Sequence, residues 1–176
     1  MNRHLATVIA RLTATFATVF IAFSLLLDPW RDTEADAVTK VLSAFGLHGA
    51  SQAFGSQVLV VPLQGAPFLA QISPSCSALA AVLAFVSVAL FLLRGEVPRR
   101  VLATAAACAL VFVCNLVRIA LSIVVGMYTG SHGLVVFHDW VGTAFGLVYV
   151  LGGFTLFLWL LLPSNRRLLK EANRAG

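Results

Sequence analysis

The stretch VFVCNLVRIALSIVV, residues 111–125, is apolar enough to form a membrane helix, yet it carries an arginine, Arg118, at its middle. On insertion scales an arginine at the bilayer centre costs about 2.5–3.5 kcal/mol, so an intramembrane arginine without a task is not expected to persist. What Arg118 is for depends on the side of the membrane it approaches and on what else lies at that depth.

Composition places the whole chain in the same setting. Of 176 residues, 60% are hydrophobic and only 11% are charged, and the mean hydropathy is +0.94. A soluble domain averages about 25% charged residues, so the chain reads as an integral membrane protein of one domain, residues 1–176. The net charge of +5 does not signal nucleic acid, because the basic residues sit at helix ends and not in a stripe with aromatics. Three cysteines, Cys76, Cys108 and Cys114, cannot make a disulfide framework, and no CxxC or Cys/His metal spacing occurs. No metal or other cofactor is expected.

Four stretches are long and apolar enough to cross a bilayer: about 7–27, 78–93, 101–125 and 134–162. Basic residues orient them. Arg3 and Arg11, then Arg94, Arg99 and Arg100, then Arg166, Arg167, Lys170 and Arg174 make 9 of the 12 on one side. Arg31 and Lys40 lie opposite, among Asp28, Asp32, Glu34 and Asp36. Both termini and the 94–100 loop are therefore expected in the cytoplasm, with the outer segment 28–77 and residues 126–137 facing outward. The first span has the basic start and apolar middle of a secretory signal peptide, but LLLDPWRD lacks a small-x-small cleavage site. The fold expected is an all-α polytopic membrane protein with four transmembrane helices.

The outer segment has two parts. In AVTKVLSAFGLHG, Val38, Val41, Leu42 and Phe45 recur at three- and four-residue spacing, which predicts an amphipathic helix lying on the membrane. In QVLVVPLQGAPFLAQI, residues 57–72, two β-prone runs flank a glycine-containing turn, which predicts a short hairpin.

Topology gathers three polar residues at one depth. Cys76, in SPSCSAL, lies at the outer mouth of the second span; Arg118 lies in the outer half of the third; His138, in FHDWVG, lies where the chain re-enters as the fourth. A thiol becomes a strong nucleophile when an imidazole or cation favours the thiolate, and the imidazole can then protonate a leaving amine. An arginine keeps its charge where water is scarce, and its fork suits a tetrahedral oxyanion. Asn115 and Ser122 lie three residues before and four after Arg118, on the same helix face, as a substrate-binding stripe would.

Plainer readings stand beside these. Cys108 and Cys114 are small hydrophobes in helices. Cys76 differs by its Pro/Ser-rich helix start, where the helix dipole lowers a thiol pKa. Arg118 could snorkel or pair with Asp139, and His132 or His48 could replace His138. Gly142 and Gly146 allow another helix to approach the face that carries His138, while Trp30 and Trp140 suit interface anchors.

CSAL at Cys76, NLVRI around Arg118 and HDWVG at His138 together resemble, in order and spacing, the three signatures of the exosortase/archaeosortase family; the likeness covers roughly residues 47–146. The resemblance implies a membrane cysteine transpeptidase or protease. It would cleave carboxyl-terminal sorting signals (motif, helix, basic cluster) of exported proteins and transfer them to a lipid or surface-polysaccharide acceptor. It implies Cys76 as nucleophile, His138 as acid/base and Arg118 as oxyanion or thiolate stabiliser. It also implies an enzyme in the cell (inner) membrane whose site faces the periplasm or exterior, with membrane lipids around it. Two features depart from the family pattern. Ala78 replaces a glycine two residues after the cysteine, where a methyl group would either narrow the approach to the thiol or merely mark a subfamily, and four spans stand where many members have around eight. Readings of other classes are a non-catalytic protein that binds sorting-signal helices or assists surface-polysaccharide assembly, and a small transport subunit with Arg118 as an anion site.

Overall fold

The computed structural model describes residues 3–50, 52–91 and 96–162. The sequence-level readings of Arg94, of Arg166, Arg167, Lys170 and Arg174, and of the last two residues of the second span lie outside the described residues.

The chain is mostly helical, with one small sheet. Helix α1 (Arg3–Ala44) is followed by strands β1 (Gln52–Phe54), β2 (Gln57–Val60) and β3 (Phe68–Gln71), then α2 (Leu79–Phe91), α3 (Val97–Phe137) and α4 (Thr143–Leu161). Two stretches, Val8–Ala44 and Val97–Leu161, are long and apolar enough to cross a membrane, while Leu79–Phe91 is apolar but shorter.

The amphipathic helix expected around residues 38–45 is not a separate element: α1 runs through Pro29 to Ala44 without a break. A proline removes one backbone donor and usually ends a helix, but here the turns beyond it are held by packing. Ala35, Val38 and Leu42, at three- and four-residue spacing, are buried against the sheet and α3, whereas Val41 and Phe45 are exposed. Of the predicted stripe, Val38 and Leu42 face protein and not a membrane surface, while Val41 and Phe45 lie outside the packed face.

The expected hairpin is β2 and β3, paired antiparallel with Val58 opposite Ala70 and Val60 opposite Phe68. A third strand, β1, was not anticipated. It joins β2 through the two-residue turn Gly55–Ser56, with Gly55 at φ 58°, as a hairpin turn of the primed type requires. The sheet order β1-β2-β3 leaves β3 on an edge. Val58 and Val60 are fully buried while Gln57 and Leu59 are only half-buried, the period of a strand with one face on a core.

Two apolar clusters result. The first joins α1, the sheet and the later turns of α3 through Val38, Leu42, Val58, Val60, Ile119 and Ile123. The second joins α2, the earlier turns of α3 and α4 through Phe85, Ala107, Val111 and Phe157. Between them lies a layer of polar side chains.

Helix α3 is broken at Gly130, whose φ of 76° and ψ of −172° fall in a region open essentially to glycine alone. The chain doubles back at this break, so that Leu134 lies against Gly126 and His138 against Arg118, and the helix that follows runs on through one π-helical turn, His138–Gly142, into α4. Arg99 donates to the carbonyls of Leu160 and Leu162, and Arg118 to Tyr149, so α3 and α4 run antiparallel.

Both Gly130 and Gly152 have room for a methyl group, but only Gly130 has a positive φ. Gly130→Ala should therefore destabilise by about 1–3 kcal/mol, and Gly152→Ala, inside α4, should be neutral or stabilising. Thermal unfolding of the two variants in detergent measures the difference, which reports backbone conformation alone.

Candidate active site

The loop between β3 and α2 places the first group. Ile72 closes the sheet side, Ser73 and Pro74 start a single turn of 3-10 helix, and Cys76 ends it, buried. Arg31, also buried, donates from Nε to the Ile72 carbonyl and so ties α1 to the start of this loop. The π-turn places the second group. A π-turn inserts one extra residue into a helix and rotates the turns beyond it; such insertions concentrate at functional sites. His138 stands at its first position.

The two meet. Cys76 Sγ lies 3.0 Å from His138 Nε2 and 2.8 Å from Ser73 Oγ. Burial pushes the thiol up, but the hydrogen bonds from His138 and Ser73, with the charge of His138, outweigh it and leave the Cys76 pKa lowered to about 7. Cys76 precedes α2 by three residues and sits in a turn of its own, so these neighbours, and not a helix dipole, make it acidic.

Arg118 is buried, with Nη2 3.4 Å from His138 Nε2 and Nη1 donating to Tyr149 Oη at 3.3 Å. Its Nε has no partner among the described residues. No ion pair joins it to Asp139, which is exposed. The glycines of the π-turn and α4 serve this side chain: a Cβ on Gly142 would lie 3.2 Å from Arg118 Nε, and one on Gly146 would lie 3.6 Å from Nη1. They admit the guanidinium of Arg118, where a close helix approach was expected.

A relay continues from Arg118. Tyr149 Oη donates to Asn115 Oδ1 at 2.9 Å, and Asn115 Nδ2 donates to Glu34 Oε1 at 3.0 Å. The same oxygen accepts from Trp30 Nε1 at 3.1 Å and from the Ala78 backbone N–H at 2.8 Å. Every donor points the same way, from the guanidinium to the only buried acid among the described residues. Ala78 stands two residues after Cys76, so the relay returns to the loop that carries the thiol. Bonds aligned head to tail polarise one another and strengthen in a dry interior.

Neither Glu34 nor Tyr149 was singled out from the sequence. Glu34 reads as one of four outward acids, and Tyr149 as an aromatic in an apolar run. A faint signal existed for Glu34, since it lies on the same face as Val38 and Leu42, four and eight residues on.

A groove of about 320 Å³ opens beside Cys76. Residues Phe68 to Ser73 form one wall, Ile119, Ser122 and Ile123 of α3 another, and Leu134, Val135, His138 and Asp139 the far end. Of the five predicted site residues, Cys76, Ser122 and His138 line it, whereas Arg118 and Asn115 lie behind it in the relay. The Ser122 hydroxyl donates to the Arg118 carbonyl in its own helix. Ala78 does not line the groove, and its methyl group packs in the second apolar cluster, away from the approach to the thiol. The alternative histidines lie elsewhere: His48 borders a separate small cavity, and His132 is exposed. Cys108 and Cys114 belong to the helix packing. Among the described residues, no cluster of His, Cys, Asp and Glu converges as metal ligands would.

A thiol lowered to about 7 gains reactivity as pH rises through that value and loses it below, where the sulfur is protonated. Iodoacetamide labelling of Cys76, with peptide mass spectrometry as the readout, should give a half-maximal rate near pH 7; His138→Ala should move it up toward the ordinary thiol value of about 8.5. Tyr149→Phe leaves Asn115 Oδ1 and Arg118 Nη1 without their partner and should cost about 1–3 kcal/mol in thermal unfolding.

A family model, that of the transmembrane exosortases (EpsH type), matches residues 3–162. No curated protein and no solved structure matches the chain. The match covers nearly the whole length, and the chain belongs to the transmembrane exosortase family.

Proposed function

From that membership, which makes this a membrane protein and suggests a transpeptidase, we propose that the chain is a cysteine transpeptidase of the inner membrane's outer face. On this reading it removes carboxyl-terminal sorting signals from exported proteins. The observation that carries the reading is the 3.0 Å approach of Cys76 Sγ to His138 Nε2 at the rim of an apolar groove.

The chain crosses the membrane four times, α3 and α4 forming the last hairpin, with both termini in the cytoplasm. The distribution of basic residues supports this orientation. So do the exposed apolar side chains of α1, among them Phe16, Phe20 and Leu25, which suit a lipid surround. The sheet, Cys76 and His138 then lie together toward the outside.

The pair sets the chemistry. The Cys76 proton passes to His138 Nε2, and the thiolate attacks the carbonyl carbon of the scissile peptide bond, forming an S–C bond. As the tetrahedral intermediate collapses, the C–N bond breaks and His138 returns its proton to the leaving amine, which departs with the signal's helix. The thioester left on Cys76 is attacked by a nucleophile on a lipid or surface polysaccharide, whose proton His138 accepts as the C–S bond breaks. Arg118, behind His138, sets a positive charge beside the thiolate–imidazole pair. Its place behind the groove favours this role over contact with the oxyanion. Asn115 acts with Tyr149 and Glu34 to position Arg118, while Ser122 contacts substrate.

In cells lacking the protein, complemented with wild type or with Cys76→Ala, the carboxyl-terminal peptides of exported proteins are to be compared by mass spectrometry. A set of proteins should lose its terminal helix with the wild type only. Identical termini, with both variants equally abundant in the membrane, would overturn the catalytic reading and favour a protein that binds such helices without cutting them.

A further inference from the structure

Six consecutive residues, Phe68 to Ser73, line the groove. A ligand resting on the face of a strand would meet alternate residues, because successive side chains point to opposite faces. Consecutive lining means that the groove runs along the edge of β3, where the backbone itself is presented. The sheet order makes this the open edge, since β3 pairs with β2 alone.

The hydrogen-bond phase is set at both ends of the sheet. The Ile72 N–H donates to Ser56 O at 2.9 Å, so Ile72 faces β2. Antiparallel pairing alternates, so Ala70 and Phe68, opposite Val58 and Val60, face β2 as well. The two-residue turn at Gly55–Ser56 gives the same phase from the other side, by directing Gln57 and Leu59 toward β1. Leu69 and Gln71 are left with N–H and C=O groups pointing off the sheet into the groove. The strand then leads within five residues to Cys76.

Resting on the reading of this groove as the substrate site, we propose that the substrate's cleavage segment binds as a fourth strand on the open edge of β3. It pairs main chain to main chain with Leu69 and Gln71 and so delivers its scissile carbonyl to Cys76. The occupant is an extended stretch of polypeptide. The opposite wall supports this, because Ile119, Ile123, Leu134 and Val135 offer an apolar surface to one row of its side chains. Pairing through the backbone supplies affinity while leaving the side chains to set specificity. An edge strand with unsatisfied groups is otherwise a liability that proteins cover; here α3 stands off from it across the groove.

The test separates binding from cleavage. In a Cys76→Ser chain, benzoylphenylalanine is placed at position 69, 71 or 135 and photolysed in living cells, and the adducts are sequenced by mass spectrometry. In parallel, processing of exported carboxyl termini is monitored with Leu69→Pro, Gln71→Pro and the corresponding alanine variants in the active chain. Proline removes only the outward N–H, a substitution that edge strands tolerate. Positions 69 and 71 should both capture one segment of an exported protein, at sites two residues apart. Each proline variant should slow processing about 5- to 10-fold relative to its alanine counterpart, which keeps the N–H, the effect of roughly 1–1.4 kcal/mol per lost hydrogen bond.

Capture from position 135 but not from 69 or 71, or proline variants that process at the wild-type rate, would overturn the proposal and put the substrate against α3. Capture of lipid alone at all three positions would overturn it too. If a proline variant does not accumulate in the membrane, the paired crosslinks decide. Paired crosslinks from a protein whose wild type cleaves nothing would uphold the strand and sink the catalytic reading instead.

Discussion

A guanidinium held between packed helices has to be answered by the groups around it, and the centre of this protein is arranged as that answer. Arg118 donates to Tyr149, Tyr149 to Asn115 and Asn115 to Glu34, so a cation on α3 is joined to a buried carboxyl group on α1 by two neutral side chains whose dipoles point one way. Leaving any one of these groups unpaired in the interior is far costlier than the bond itself is stabilising. The three helices are therefore held in one relative position. That position sets His138 beside Arg118 on one side and Cys76 on the other.

The two apolar clusters work with this layer. One clamps the sheet between α1 and α3, and the other clamps α2 between α3 and α4. Hydrophobic burial is non-directional and would tolerate small sliding of helix on helix. The polar layer between the clusters would not, since its bonds fail within an ångström. The backbone N–H of Ala78, bound to Glu34, carries the same constraint into the Cys76 loop, and Arg31 carries it into Ile72 at the end of β3.

Much of this was open to a reading of the residues alone, for identifiable reasons. The apolar runs of α1, α3 and α4 exceed anything a soluble core needs, and QVLVVPLQGAPFLAQI shows its hairpin through two β-prone runs about a glycine turn. Cys76 and His138 stood out at the mouths of their spans, and Arg118 because a cation is rare within one. Other features were hidden. A proline such as Pro29 ordinarily ends a helix, and only the packing of Ala35, Val38 and Leu42 carries α1 past it. Gln52–Phe54 is too short to announce a strand, and it is one only because β2 lies beside it. Glu34 is one of four acids in nine residues; Asp28 among them is largely exposed while Glu34 is wholly buried, a distinction that no local pattern carries.

What the sequence by itself determined is the one-dimensional part: which segments are apolar, which alternate, where the chain must turn and which reactive groups stand at each mouth. Tertiary structure alone decided that Arg118 lies behind His138 and outside the groove, that Gly142 and Gly146 make room for its guanidinium, and that a π-turn aims the imidazole at the thiol. The reason is one of range. Periodicity reports the free energy of burying a face, which is summed over many residues and survives small errors. A contact of 3.0 Å between a turn after β3 and a turn before α4 depends instead on how three helices and a sheet edge settle against one another.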